Sequence, residues 1–324
     1  MHPRHLPLLI CPKTLKSLSL VDAEYAGERI QTGRLVEPES GNEYPIRNFI
    51  PRFVPAENYA GSFGFQWNLF KKTQADAFSG KKLSAVRFAK ETRWGEQLAG
   101  QILLEAGSGA GRFTPHALAT GATVVSFDFS NAVDANYELN GAHPNLLLVQ
   151  ASLYEMPFAR ESFDKVFCFG VLQHTPDPKK SFLALPPMLK PGGKLATDIY
   201  LSTWLNALHV KYYMRLFTAG RDPERVYNFT RKYVGFWWPL AKLVRGNRVG
   251  QKAISRLIAD RSDYLDADDA TQREWADLDT FDWFSPQYDQ PQTVVGFRRW
   301  HVEAGLKDID VHRGYNGVEG RGTK

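Results

Sequence analysis

From residue 101 onward the chain alternates short apolar runs with amphipathic stretches. "QILLEAG", "ATVVSFDFS", "NLLLVQAS", "FDKVFCFGV" and "GGKLATDIY" are predicted strands, and "RFTPHALAT", "NAVDANYELN" and "DPKKSFLALPPML" are predicted to be helical. Runs as continuous as "VVSF" and "LLLV" suit strands covered on both faces. Strands alternating with helices predict right-handed βαβ units and a doubly wound parallel sheet. The alternation stops after Tyr200. Residues 201–285 are aromatic, basic and roughly helical ("WLNALHVKYYMRLF", "RKYVGFWWPLAKLVRG", "QKAISRLIADR"), which predicts an inserted helical cap. Residues 286–324 return to pattern, with a helix in "PQTVVGFRRWHVEAGL" and a strand pair in "KDIDVHRGYNGVEGRG" that completes the sheet.

The first 100 residues read differently. In residues 1–55, "GRLVEPESGNEYPIRNFIPRFVP" alternates apolar positions around a Ser-Gly-Asn turn, which predicts a β-hairpin and an exit loop in a small separate unit. Residues 56–100 are rich in aromatics, and "FAKETRWGEQLAG" is predicted to be helical as it leads into the first strand of the large sheet. The expected architecture is therefore α/β, with a small N-terminal β unit (1–55), a main sheet interrupted after residue 200, a helical cap (201–285) and a closing segment (286–324).

Composition narrows the partners. A net charge of +5 and a pI near 9.0 fit an acidic substrate, a phosphate-bearing carrier or an anionic surface without choosing among them. The two cysteines, Cys11 and Cys168, form no close pair, so neither a disulfide framework nor a CxxC metal site is indicated, and a reducing cytoplasm is the expected compartment. The apolar run near the N-terminus is about five residues, shorter than the ~7–15 of a secretory signal. No apolar segment approaches the ~18 residues of a spanning helix.

The chemistry centres on "LLEAGSGAGRFT", Leu103 to Thr114, where three glycines alternate with small residues behind a glutamate. Gly107, Gly109 and Gly111 fall at the C-terminal end of the first strand of the large sheet, where open parallel sheets bind ligands. Glycine lets the backbone turn sharply and approach a ligand, and the next helix aims its N–H groups there. A P-loop would need Lys-Ser/Thr after the last glycine, whereas Arg112-Phe113 follow; a dinucleotide fingerprint would place its third glycine one residue later. Asp128 lies 17 residues past Gly111, about where a ribose-binding acid falls.

The E-x-G-x-G-x-G arrangement from Glu105 to Gly111 resembles the first motif of the class I S-adenosylmethionine-dependent methyltransferases. "ESFDKVFCFGVLQHTPDP" and "LKPGGKL" resemble the motifs at the fourth and fifth strands of that family, and the resemblance covers most of the chain. It implies a mostly parallel, seven-stranded Rossmann-like sheet with S-adenosylmethionine as cofactor. Carried over residue by residue, it implies cofactor contacts from Glu105, Gly107, Ser108, Gly109, Gly111 and Arg112. Asp128 and Phe129 follow the second strand, Ser152 and Leu153 the third (with Ser152 where the family often has Asp), and Gly170 the fourth. Gln66 and Trp67, in "FGFQW", are expected to cover the cofactor from the N-terminal side; core packing is the alternative for Trp67. Residues 1–55 resemble the short zinc-ribbon-like domains that accompany some methyltransferases, through Tyr44-Pro45-Ile46 and Ile50-Pro51. Of the four expected thiols only Cys11 is present, with Thr14, Glu37 and Ser40 at the other places. One thiolate cannot hold tetrahedral zinc, so a metal-free relic is expected.

Methyl transfer from a sulfonium is an in-line displacement in which alignment and exclusion of water do much of the work. A hydroxyl acceptor must also lose its proton, and His174 in "LQHTPDP" is the expected general base; a loop-stabilising histidine is the alternative. Gln173, Tyr200, Tyr213, Arg231 and Tyr288 are candidate substrate contacts, with cap packing or loop structure as the alternative. The expected reaction is methylation, at oxygen, of a small molecule or a sugar or glycan precursor. RNA or protein methylation and a non-catalytic cofactor-binding regulator are the rival readings. No metal and no nucleic acid are expected. The basic stretches "HVKYYMR" and "KLVRGNR" are read as solvated faces, with contact to an anionic membrane or a lipid-phosphate carrier as the alternative.

Overall fold

The computed structural model describes residues 1–55, 58–204, 206, 209–260 and 267–324. Four strands open the chain: β1 (Ser19–Ala26), β2 (Arg29–Val36), β3 (Glu43–Arg47) and β4 (Ile50–Pro51), paired in that order and antiparallel throughout. The β2–β3 hairpin is the expected one. β1 has no counterpart in the sequence reading, because "SLVDAEYA" lies on the edge of the sheet and is mostly exposed, so apolar alternation is absent from it. Ile30, Leu35 and Ile46 point inward and join one apolar cluster with Val125 and Leu147 of the large sheet. Cys11 is buried, with Sγ 3.3 Å from the Tyr44 hydroxyl. The Glu37 carboxylate accepts the N–H groups of Glu39 and Ser40 at 2.9 and 3.0 Å, so it is spent on its own turn.

Three helices follow: α1 (Gly61–Leu69), α2 (Asp76–Ser79) and α3 (Leu83–Thr92). The third is shorter than "FAKETRWGEQLAG" predicts. Arg93 adopts a left-handed conformation at φ 51° and ends it, so Trp94 onward is not helical.

The large sheet contains β5 (Ile102–Ala106), β6 (Thr123–Asp128), β7 (Leu146–Gln150), β8 (Phe163–Cys168), β9 (Leu189–Ile199), β10 (Lys307–Gly314) and β11 (Gly317–Thr323) in the order β10-β11-β9-β8-β5-β6-β7. The five strands of the expected alternation are parallel; the β10–β11 hairpin adds to β9 antiparallel. The sheet is thus the seven-stranded, mostly parallel one expected. The intervening helices are α4 (Thr114–Leu118), α5 (Ala132–Asn140) and α6 (Pro178–Leu183); Pro186 and Pro187 cut short the helix predicted over "DPKKSFLALPPML". Strand order reverses at β5: the chain runs outward to β6 and β7, then returns to β8 on the other side. That switch point opens a crevice at the C-terminal ends of β5 and β8.

The cap consists of α7 (Val210–Thr218), α8 (Pro223–Leu243), α9 (Arg248–Ile254) and α10 (Asp269–Phe284), before α11 (Val294–Glu303) packs back on β10 and β11. Asp222 and Asp268 cap α8 and α10 through the N–H groups of Arg225 and Thr271. Val234, Trp238 and Ala241 of α8 meet Ile254, Ile258 and Ala276 in a core of the cap's own. α10 packs on α1, α7 and α8, which brings it over the crevice. The helix predicted over "WLNALHVKYYMRLF" begins at Val210, with His209 as its N-cap. Leu205, Ala207 and Leu208 of that stretch, and Arg261 of "QKAISRLIADR", lie outside the described residues.

Candidate active site

A cavity opens over the switch point, and its floor is the sheet edge. Gly107, Gly109 and Gly111 all have positive φ, at 78°, 52° and 80°. At Gly107 a Cβ would stand 2.4 Å from Cγ2 of Val171, on the loop after β8; at Gly111 it would stand 2.1 Å from the Asn136 amide oxygen. The loops after β5 and β8 therefore close on each other only because side chains are absent. Asp128, at the end of β6, accepts the N–H of Gly109 at 2.9 Å on one oxygen, and the N–H and hydroxyl of Ser130 on the other. Burial raises its pKa, and these donors work against that rise. Beneath the loop, Glu105 accepts the hydroxyls of Thr114 and Ser126 at 2.6 and 2.7 Å, and burial pushes its carboxyl up to about 7. Arg112 donates to the Ser84 hydroxyl and the Gln74 amide oxygen at 2.8 and 2.7 Å. Burial brings its guanidinium down to about 10, still charged at neutral pH.

The roof comes from elsewhere in the chain. Phe63, Gln66 and Trp67 of α1 face the cavity, and the Trp67 indole lies against Gly109. From α10, Trp275, Leu278, Asp279, Asp282 and Trp283 face it at the i, i+3, i+4, i+7, i+8 spacing of one helical face. Gln74 joins floor and roof: it accepts from Arg112 and donates to Asp279 at 3.1 Å. Asp282 accepts the Tyr200 hydroxyl at 3.1 Å and the Gln66 amide at 3.4 Å. Burial, followed by Asp282, keeps the Tyr200 hydroxyl well above its ordinary pKa. The other end of the Gln66 amide, Oε1, is buried without a partner among the described residues. His174 lies between Phe63 and Tyr200, with ring centroids at 5.0 and 5.3 Å. Its Nδ1 is 3.0 Å from the Tyr288 carbonyl, so Nδ1–H donates there and a neutral ring carries its lone pair on Nε2.

Residues 104–197 match the family model described as a methyltransferase domain. Within those residues the chain carries a methyltransferase domain. It is similar to the ubiquinone biosynthesis O-methyltransferases of Pseudomonas putida and Pseudomonas fluorescens, at 34% identity over 104 residues. That stretch is 30% of this chain, and the chain spans only 44% of the length of those relatives. Among solved structures, phosphoethanolamine N-methyltransferase 2 of Haemonchus contortus aligns with 79% of this chain and 44% of its own, at 18% identity and a TM-score of 0.43. S-adenosylmethionine is the cofactor such a domain implies, and the residues present fit it: a backbone cradle that a Cβ would fill, aromatic walls, and a carboxylate at the sheet edge.

Most of the residues named from sequence come together. Gly107, Ser108, Gly109, Arg112, Asp128, Phe129, Leu153 and Gly170 line the floor; Gln66, Trp67, Tyr200 and His174 line the roof and far wall. Glu105, Gly111 and Ser152 do not line the cavity; Ser152 turns its hydroxyl to the N–H of Tyr154 at 3.1 Å. Gln173 is buried off the cavity, Tyr213 is 55% exposed, and Arg231 sits against Tyr227 on the outside of α8. Tyr288 contributes its backbone rather than its ring. Its segment braces the His174 loop, where Gln290 bonds the carbonyls of Thr175 and Pro176 and the Lys211–Asp289 pair, at 2.6 Å, is buried beside it. Burial raises the Asp289 carboxyl, but Lys211 and then His174 outweigh this and hold it below its ordinary pKa. Sequence reasoning missed Gln74, Arg87, Asp279 and Asp282. For the two aspartates a signal existed: carboxylates inside an otherwise apolar helical stripe ("WADLDTFDW") face whatever that stripe covers.

Proposed function

We propose that this chain methylates a hydroxyl of a small acceptor, a sugar or glycan precursor being the class that fits best. When bound, S-adenosylmethionine supplies a methyl group on a sulfonium, which leaves as a neutral thioether. Asp128 would hold the ribose hydroxyls, Phe129 and Leu153 would flank the adenine, and the Gly107–Gly109 backbone with Arg112 would hold the amino-acid end. The acceptor would occupy the space between Phe63, Gln66, His174, Tyr200 and Asp282. Rings beside carboxylates and an open amide oxygen suit a polyhydroxylated ligand, which stacks its apolar face and donates its hydroxyl protons. His174 takes the acceptor's proton at Nε2 while its Nδ1–H stays on the Tyr288 carbonyl. The Lys211–Asp289 pair and Gln290 hold that loop in place.

The observation that carries this reading is the His174 geometry: a buried imidazole on the cavity wall whose tautomer is fixed by a backbone carbonyl. The test is a screen of sugars and phenols for release of S-adenosylhomocysteine, repeated with His174→Ala. The variant is expected to lose about 10²–10⁴-fold in kcat while binding S-adenosylhomocysteine as the parent does. Unchanged turnover would make His174 a loop-bracing residue.

A further inference from the structure

The cap carries a feature that the cavity does not use. Between residues 211 and 256 stand eleven Lys and Arg against two acidic residues, a net +9 in a chain whose total is +5. Eight of the seventeen exposed large apolar side chains of the described residues also lie on this segment, between Tyr213 and Val249. Along α8 they form a stripe. Phe229, Phe236, Leu240 and Leu243 fall within about 60° of one another around the helix and extend over about 21 Å. Their exposures are 40%, 75%, 41% and 80%. The opposite face, Val234, Trp238 and Ala241, is the buried one. Val249, 80% exposed, extends the apolar surface onto α9. Arg225 and Lys232 flank the stripe, and Arg248 and Lys252 lie beyond its end; all four are exposed and make no ion pair among the described residues.

We propose that the stripe of α8 and the start of α9 dock on an anionic lipid surface. Exposed aliphatic and aromatic groups in such a row gain nothing from water and gain from hydrocarbon. Each Lys or Arg beside an anionic leaflet adds attraction that salt screens. A second copy of the chain is the wrong occupant, because it would set the same cations, Arg225, Lys232, Arg248 and Lys252, against one another. RNA matches the charge, but Leu240, Leu243 and Val249 have no π face on which to stack a base. No helix of the described residues is long and apolar enough to cross a membrane, so the contact is peripheral. It would put the cap, and the cavity beneath it, at the bilayer surface. This inference stands independently of the methyl acceptor.

The test is sedimentation of the full chain with vesicles of phosphatidylcholine, or of phosphatidylcholine with a third phosphatidylglycerol, at about 50 and about 500 mM salt. Two variants accompany it: Phe236→Ser with Leu243→Ser, and Lys232→Glu with Arg248→Glu. All four positions are exposed, and affinity for S-adenosylhomocysteine reports separately on the folded floor of the cavity. The chain is expected to pellet with the anionic vesicles only. Both variants should lower the bound fraction about tenfold at low salt. Equal pelleting on both vesicle types, or binding that neither variant changes, would overturn the proposal. So would a micromolar dimer that Phe236→Ser with Leu243→Ser dissolves. Tight binding of single-stranded RNA that displaces the vesicles, and that Phe236→Ser with Leu243→Ser leaves intact, would reassign the face to nucleic acid.

Discussion

The floor and the roof of the cavity are built by different means. The floor is backbone: Gly107 and Gly109 in left-handed conformations, the end of β6, and the turn after β8, all within residues 107–171. Parallel strands fix it, and little side-chain choice is left. The roof is made of side chains from α1, Tyr200 and α10, separated by up to some 220 residues of sequence and held by hydrogen bonds such as Gln66–Asp282 and Tyr200–Asp282. A floor of this kind suits a ligand shared by many proteins; a roof of this kind can change without disturbing the floor. The difference predicts which substitutions are felt in cofactor binding and which in acceptor use.

The largest effect is expected at Gly107→Ala. The new Cβ meets both methyls of Val171, a β-branched side chain with little freedom to move aside, at a backbone φ that alanine disfavours. S-adenosylhomocysteine affinity should fall by about 100-fold or more and stability by about 2–4 kcal/mol. Val171→Ala in the same background should recover part of the stability, measured by urea unfolding. Full affinity in the single variant would mean the floor is not rigid.

Next is pH. Unfolded, Glu105 ionises near its ordinary 4.5; folded, it keeps its proton up to about 7 because it is buried. Between those values the unfolded chain binds fewer protons, so this group makes stability fall as pH rises from about 5 to about 7, by roughly 3 kcal/mol, and then level off. Glu105→Gln should remove that part of the slope. A slope identical to the parent's would show that Glu105 is already ionised in the fold.

Asp128→Ala should weaken S-adenosylhomocysteine binding by about 10–100-fold by calorimetry, since the variant loses both the carboxylate and its hold on Gly109. The smallest effect on the cofactor is expected from Asp282→Asn, within about twofold. It should instead impair acceptor turnover. A loss as large as that of Asp128→Ala would erase the distinction between floor and roof.

The same distinction explains what could be read from the sequence. The floor was legible because its residues follow one another along the chain: "LLEAGSGAGRFT" and "VSFDFS" carry their spacing with them. Glu105 and Ser152 were correctly placed at strand ends, but their side chains turn to neighbouring hydroxyl and backbone groups instead of the cavity. The roof was only partly legible. α8 has aromatic residues around most of its circumference, so "RKYVGFWWPL" does not announce which side is covered; Arg231 and Tyr213 were named for chemistry that the packing left outside. α10 did announce it, through two aspartates in an apolar stripe. β1 went unseen because an exposed edge strand needs no alternation, and α3 was overextended because a left-handed arginine has no sequence signature comparable to glycine's.

The central claim is that the glycine-lined floor seats an adenosyl sulfonium compound. Isothermal titration of the full chain with S-adenosylhomocysteine, with NAD as the comparison, tests it most directly. The account predicts one saturable site for S-adenosylhomocysteine, weakened in Asp128→Ala, and no site for NAD; a folded chain that gives no heat with S-adenosylhomocysteine, or prefers NAD, would contradict it.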